Sequence, residues 1–389
     1  MKTDEKSILL ISHEISNTGA PILCRRISEQ LKANGYKTVF ISLCNGVVTD
    51  KIKNAADEVK VINIRNSLIK KVLRLLNPKW GKQKSLRLEL LLKHYRRKGY
   101  GKVIVNSMES GSVVPSLKKN GYKIVTLVHE MSSVYEKFNN YYKIDNIVQS
   151  SDYIVFPSKY VKQEFLENAT KDVLANIEMF PQGCYKEASE IKEKSEARTN
   201  IAKTLKLPVD SRFLVCSGAF DMIKGTDLVP LIMDKLREYE NLNILWLGEV
   251  KKSPYSISVI SQIKRMGLEK RIHFLGFVDD AEKYNDILCG SEAFLLTSRE
   301  DPMPSVMAEA ISMKLPVVAF KGSGGAEELL SQGRGLLANY CDIDDYCSKI
   351  KLILDDEIDI DAINDRAYKF LKENLVFEDY VNKLENLLM

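Results

Sequence analysis

A chain of 389 residues exceeds what one hydrophobic core usually organises, so two domains of roughly 190 residues are expected. Hydrophobic residues at 45% and charged residues at 28% exclude a disordered chain, and no apolar run reaches the ~18 residues of a membrane-spanning helix. The seven cysteines are scattered without a CxxC pair and the four histidines lack metal-ligand spacing, which argues against a disulfide framework, a structural zinc site and a zinc hydrolase.

From the start of the chain, short β-branched apolar runs alternate with longer amphipathic stretches. Ile8–Ile11 reads as a buried first strand rather than as a secretory leader, since its apolar part is short and its flank acidic. A helix over 21–34 and a strand over 38–41 follow, then strands over 103–105, 124–128 and 153–156. Residues 186–200, KEASEIKEKSEARTN, are polar throughout and read as a linker. The rhythm restarts with strands over 213–216, 244–247, 272–275, 293–296 and 317–320, and an amphipathic helix over 376–389 ends the chain. Strands apolar on both faces, separated by helices, predict an α/β fold of two doubly wound Rossmann-like domains with parallel sheets. Ligands are expected in a cleft at the carboxyl ends of their strands. The boundaries expected are 1–190 for an acceptor-side domain and 191–375 for a donor domain, with the 376–389 helix returning to the first.

Net charge is +5, yet residues 70–102 hold twelve Lys or Arg and one acid, Glu89, so the remainder is net acidic. Leu73, Leu75, Leu76, Trp80 and Leu86 to Leu92 interleave with these bases, a pattern that suits an anionic membrane interface as well as a solvated helix pair. No nucleic-acid-binding motif accompanies the charge, so nucleic acid is not an expected partner.

The segment TSREDPMPSVMAEAISMKLPVVAF, 297–320, is the most informative. A strand ends near Thr297, an acid-rich loop follows, and a helix begins near Ser305 with Pro304 before it. Asp301 lies in the loop and Glu309 eight residues on, in the second turn of the helix. A carboxylate accepts two hydrogen bonds, which suits the vicinal hydroxyls of a ribose or hexose, and the amides from Ser305 to Met307 suit a phosphate. After the strand FLVCS comes GAFDMIKG, 218–225, where Lys224 offers a cation to a diphosphate whose negative charge grows as its bond to a sugar breaks. Two tripeptides, Asp342-Ile343-Asp344 and Asp359-Ile360-Asp361, spell the metal-binding aspartate pair of other transferases but sit where aspartates cap helices. GxGxxG and P-loop motifs are absent.

Ser298, Asp301, Pro304, Glu309, Ala310, Pro316, Val317 and Val318, with Lys224 and Gly225, resemble the family-4 retaining glycosyltransferases of the GT-B fold, glycosyl transferases group 1. Asp301 stands in the register of an acid that is usually glutamate there, Glu300 being one residue too far from Glu309. The resemblance implies that Asp301 holds donor-sugar hydroxyls, Glu309 the ribose and Lys224 the pyrophosphate. Ala219 stands where the family has an arginine, and Arg299 and Lys159 are the bases available to replace it. Gly324-Gly325-Ala326-Glu327-Glu328 is similar to a family loop in which Glu328 is the matching acid. The loop SNTGAP, with Gly19, is similar to one that faces the donor phosphates; His129, after the strand IVTLV, would lie beside the transferring sugar; Ser158-Lys159 and Gln182-Gly183 occupy further family positions.

The candidate catalytic residues are therefore His129, Asp301 and Lys224. The donor-binding candidates are Gly19, Gly218, Lys224, Arg299, Glu300, Asp301, Pro304, Ser305, Val306 and Glu309. No metal ligand is expected, and no cofactor besides a nucleoside-diphosphate sugar as co-substrate. The resemblance implies retention of configuration by front-face attack and a glycan or lipid-linked acceptor, as in bacterial surface polysaccharide synthesis. It also implies a cytoplasmic enzyme, peripheral on the inner face of the membrane. Two alternatives stay open: a GT-B phosphorylase or epimerase, and a non-catalytic nucleotide-sugar-binding protein.

Overall fold

The computed structural model describes residues 6–16, 18–44, 46–63, 86–138, 141–184 and 191–389. Two compact units divide the chain, one of residues 1–182 with 377–389 and the other of residues 183–376.

The first unit is built on seven strands: β1 (Ser7–Ser12), β2 (Lys37–Ser42), β3 (Glu58–Val61), β4 (Lys102–Asn106), β5 (Lys123–Leu127), β6 (Tyr153–Phe156) and β7 (Asn176–Met179). Every pair is parallel and the order is β3-β2-β1-β4-β5-β6-β7. All six residues of β1 are buried, as expected of a central strand covered on both faces. The order reverses between β1 and β4, and the register sets Ser12 beside both Ser42 and Asn106. Asn106 in turn stands beside Leu127, so the carboxyl ends of β1, β4 and β5 finish level at that switch point. The helix Gly19–Ala33 turns Leu23, Cys24, Ile27 and Leu31 onto the sheet. The last helix, Phe377–Leu388, buries Tyr380, Val381, Leu384 and Leu388 in this unit and is tied to the first helix by Asn34 Nδ2 donating to Glu385 Oε1 at 2.5 Å.

The second unit has six parallel strands, β8 (Arg212–Ser217), β9 (Leu242–Leu247), β10 (Ile272–Gly276), β11 (Ala293–Leu296), β12 (Val317–Phe320) and β13 (Leu336–Ala338), in the order β10-β9-β8-β11-β12-β13. Its switch point lies between β8 and β11, where Leu214 pairs with Ala293 and Val215 with Phe294. Two clusters of buried side chains cover the faces of this sheet, Phe213, Phe294 and Met307 in one, Trp246, Phe320 and Tyr346 in the other. Burial of each such side chain is worth ~1.5–3 kcal/mol.

The structure corrects the reading of 186–200 as a linker: Lys194–Leu205 is a helix of the second unit. Its inward face is only Ala197, Ile201 and Ala202, too small a stripe to stand out among charges. Those charges are used. Lys194, Arg198 and Arg212 converge on the buried carboxylate of Glu292 at 2.6–3.0 Å. Asp342 and Asp359 cap helices, accepting from the amides of Asp345 and Ala362. Of the basic window, 70–85 lies outside the described residues. Leu86–Arg97 is a helix burying Leu88, Leu92 and Tyr95, with Leu86 and Leu90 exposed among its bases. Among the described residues no helix is long and apolar enough to cross a membrane.

Candidate functional site

In the second unit the candidates gather where β8 and β11 end. The chain leaves β8 through Gly218 and turns back at Lys224-Gly225 onto Thr297. Thr297 Oγ1 donates to the Lys224 carbonyl at 2.8 Å, and Arg299 N donates to that of Ile223 at 2.7 Å. Gly225 has φ +67°, and a Cβ there would stand 2.0 Å from the Thr297 carbonyl oxygen. Only glycine lets the two loops meet this closely.

This turn delivers Lys224 to Asp301. The ammonium lies 2.5 Å from Asp301 Oδ2, which Ser298 Oγ also approaches at 3.4 Å. Asp301 is 6% exposed and fixed through its backbone, donating to Ser323 O at 2.7 Å and accepting from Gly325 N at 3.1 Å. Glu300, its neighbour, is half-buried. Of the two acids the sequence offers, Asp301 is the one brought to the lysine.

Arg299 is placed elsewhere. Its guanidinium forms a two-pronged pair with Asp227, both contacts at 2.8 Å, and also donates to the Met222 carbonyl at 2.7 Å. Tyr255 Oη donates to the same carboxylate at 2.9 Å. Burial would raise the Asp227 carboxyl, but the bonds from Arg299 and Tyr255 hold it below its ordinary value. Asp227 in return pushes the guanidinium up. Expected as a substitute for the cation missing at Ala219, Arg299 acts in this structure as a brace between the 218–227 loop and the end of β11.

Beyond Asp301 the helix Ser305–Ser312 begins at Pro304 with no side-chain cap and no acid in its first turn. Unclaimed by a capping side chain, the amide end near Ser305 and Val306 carries the partial positive charge of a helix start. Glu309 is 8% exposed in the second turn, and its Oε2 accepts from Tyr284 Oη at 2.6 Å. Among the described residues no group of three or more His, Cys, Asp or Glu is placed to hold a metal.

In the first unit, the carboxyl ends of β1, β4 and β5 carry a second constellation. Gly19 opens the helix Gly19–Ala33, with no atom within 4 Å of where a side chain would start. Asn106 Nδ2 donates to Ala20 O at 2.8 Å, while its buried Oδ1 has no partner. Ser107 adopts φ +76°, unusual for a residue with a side chain. Its hydroxyl makes a short hydrogen bond to Glu130, whose other oxygen accepts from the amides of Met108 and His129 at 2.9 and 3.1 Å. Burial pushes the Glu130 carboxyl up against the pull of those bonds. His129 follows β5 with both ring nitrogens shut off from solvent and unpartnered, and burial lowers its pKa to about 4. Ser158 is spent as a helix cap, accepting from Val161 N.

Sequence reasoning missed Asn106, Ser107, Asp227 and Tyr284 as parts of these sites. An acid two residues past the Lys224-Gly225 turn could have drawn attention to Asp227. Nothing local marks the other three, which are defined by partners between 23 and 86 residues away.

Two units, each a parallel sheet with a switch point and polar groups at its strand ends, define a protein of the GT-B fold. Solved structures agree on that fold. The chain resembles Anabaena Alr3699/HepE, solved in complex with UDP and glucose, with a TM-score of 0.78 at 17% identity over 98% of this chain and 99% of that one. It resembles the sucrose-phosphate synthase of Thermosynechococcus elongatus with a TM-score of 0.75 at 18% identity, covering 98% of each. Residues 197–370, within the second unit, match the family glycosyl transferases group 1. Among curated relatives, an uncharacterized glycosyltransferase of Haemophilus influenzae is 23% identical over 188 residues, 47% of this chain. The Bacillus subtilis glycosyltransferase TuaC, named for teichuronic acid biosynthesis, is 22% identical over 256 residues, 66% of this chain. The chain spans 49% of the first relative's length and 59% of the second's.

Proposed function

We propose that the chain is a retaining, metal-independent glycosyltransferase of the family-4 kind, moving a hexose from a nucleoside-diphosphate sugar to a hydroxyl of a glycan or lipid-linked acceptor. The observation that carries this reading is the pairing of Lys224 with Asp301 beside an uncapped helix start, with Glu309 one turn further on. In this reading a donor pyrophosphate takes the Lys224 ammonium and the amides at Ser305 and Val306. Asp301, released from the lysine, accepts the sugar hydroxyls, and Glu309 accepts those of the ribose. The contacts of Lys224 and of the Ser305 and Val306 amides strengthen as the leaving group gathers charge, which is what accelerates transfer. Attack from the front face lets the departing phosphate take the proton of the incoming hydroxyl. His129 is the first unit's candidate for a sugar hydroxyl: both its ring nitrogens are unmet, at ~1–3 kcal/mol per group, which hydroxyls would return.

A bacterial surface polysaccharide is the acceptor class we favour, on the names of the relatives and the basic helix Leu86–Arg97. The same helix supports a cytoplasmic location, peripheral on the membrane. One observation favours a second reading, a nucleotide-sugar binder without turnover: Ala219 leaves one cation out, and Arg299 is engaged by Asp227. A metal-free thermal-shift screen of UDP, GDP and ADP on wild type and Glu309→Ala tests the donor site. Stabilisation of wild type alone by one diphosphate supports it, and no shift with any of the three sinks it. Acceptor-dependent release of the diphosphate separates transfer from binding, and an inverted product anomer would overturn retention.

A further inference from the structure

His129 leaves its strand through a turn that its own neighbour closes. The buried Glu130 folds its carboxylate back across the ends of β4 and β5. One oxygen makes the short hydrogen bond with Ser107 Oγ. The other accepts from Met108 N at 2.9 Å and from His129 N at 3.1 Å. Two of these donors stand just past β4 and the third belongs to the residue that carries the imidazole, so one side chain ties the backbone of His129 to the neighbouring strand. The β4 side of this clasp is rigid. Ser107 is held at φ +76° and ψ 138°, a backbone that glycine alone adopts freely, and such a residue persists only where its surroundings over-determine it. Here they do. Ser107 N donates to Leu127 O at 2.9 Å, and Ser107 Oγ also accepts from Glu109 N at 3.1 Å. Glu130 is fixed from its other end as well, where Tyr135 Oη donates to its carbonyl at 2.6 Å. A glycine at position 107 would relieve the backbone but lose the hydroxyl, and the hydroxyl is what the carboxylate holds.

We infer that Glu130 is a positioning residue, which fixes the backbone of His129 so that the imidazole meets a sugar hydroxyl in one orientation. The inference rests on the reading of His129 proposed above and adds to it the residue through which that contact is set. An imidazole with two unmet nitrogens adds most to affinity when the ring is already in place, because a ring that must first be ordered loses part of the bond to that ordering.

The test uses the full chain as wild type, His129→Ala, Glu130→Gln, Glu130→Ala and the double variant of His129→Ala with Glu130→Ala. Each is titrated calorimetrically with UDP, GDP and ADP and with UDP-glucose, GDP-mannose and ADP-glucose. The quantity read is the gain in affinity from a diphosphate to its nucleotide sugar. His129→Ala should cut that gain about five- to tenfold, and Glu130→Ala by a similar factor, with affinity for the diphosphate itself kept within about twofold. Glu130→Gln should keep the gain within about twofold, because its oxygen can serve both amides while its nitrogen donates to Ser107 Oγ. The double variant should lose no more than His129→Ala alone, since Glu130 acts through the imidazole. Should Glu130→Ala fail to fold, Ser107→Ala replaces it; it removes one contact of the clasp and should cut the gain about threefold, but not in the His129→Ala background. Additive losses in the double variant, or equal weakening of diphosphate and nucleotide sugar, mark a carboxylate that only stabilises the fold and overturn the inference. If wild type shows no gain for the sugar, or His129→Ala keeps it, the role of His129 fails and the inference with it, while the diphosphate site stands. If wild type binds none of the diphosphates, the donor site itself fails and takes the inference with it.

Discussion

Replacing Gly225 with alanine tests whether the placement of Lys224 depends on the contact between two loops. At φ +67° a side chain costs ~1–2 kcal/mol whatever surrounds it. A Cβ at Gly225 would also sit 2.0 Å from the Thr297 carbonyl oxygen and 2.9 Å from its carbon, well inside van der Waals contact. Backbone lies on both sides, so no side chain can swing away. The turn has to retreat, and two hydrogen bonds go with it, from Thr297 Oγ1 to the Lys224 carbonyl and from Arg299 N to that of Ile223. At ~1 kcal/mol each they bring the expected loss to about 3–4 kcal/mol. Gly267 is the control, since its φ is +66° and nothing lies within 4 Å of its would-be Cβ, so Gly267→Ala should cost only the ~1–2 kcal/mol of the backbone conformation. Both are read by urea unfolding in a Trp80→Phe background. Trp246, 1% exposed in β9, is then the sole tryptophan and reports the second unit. Equal losses for the two alanines, within about 0.5 kcal/mol, would refute the argument that loop contact, rather than backbone conformation, fixes this turn.

Two further outcomes are expected. Burial holds His129 near pKa 4 against 6.5 in an unfolded chain, so between those values the unfolded state binds the extra proton and stability falls as pH falls. Wild type should lose roughly 3 kcal/mol more than His129→Asn between pH 7 and pH 4 in the unfolding transition of the first unit, and parallel pH profiles would refute it; the raised Glu130 carboxyl shifts in the opposite sense but is common to both proteins. Ala219 is exposed, so Ala219→Arg needs no repacking; if the chain is a transferase short of one cation, acceptor-dependent release of nucleoside diphosphate should rise roughly tenfold, and unchanged release would count against that account.

What the sequence disclosed follows burial. The central strands, such as Ile8–Ile11, Phe213–Cys216 and Val317–Phe320, are covered on both faces, and their apolar runs are legible without help. The strands that escaped notice lie at sheet edges: β3 (EVKV) is half-buried throughout, β7 (NIEM) is half-exposed, and β13 is three residues long. An edge strand is specified by the neighbour it pairs with, and its own residues carry little of that information. The site divides in the same way. Asp301, Glu309 and Lys224 were legible because helix starts, tight turns and acids have local spellings. The partners that orient them were not: Tyr284 reaches Glu309 from 25 residues away and Asp227 reaches Arg299 from 72. Ser107 gave no sign at all, since its positive φ is imposed by the carboxylate and amides around it.

Charge at the second-unit site is arranged with little surplus. Lys224 and Asp301 neutralise one another at 2.5 Å with the carboxylate 8% exposed, and Arg299 and Asp227 do the same nearby. Both pairs are partly buried, and removing one partner of either would leave the other charge short of compensation. In the proposed reading a diphosphate entering here competes with Asp301 for Lys224. Its two or more negative charges outbid one carboxylate more readily when Asp301 finds new donors at the same moment, and sugar hydroxyls are such donors. A nucleoside diphosphate alone supplies the first half of this exchange and a nucleotide sugar supplies both. In the proposed reading this arrangement favours the intact donor over the spent one, in the direction that lets product leave.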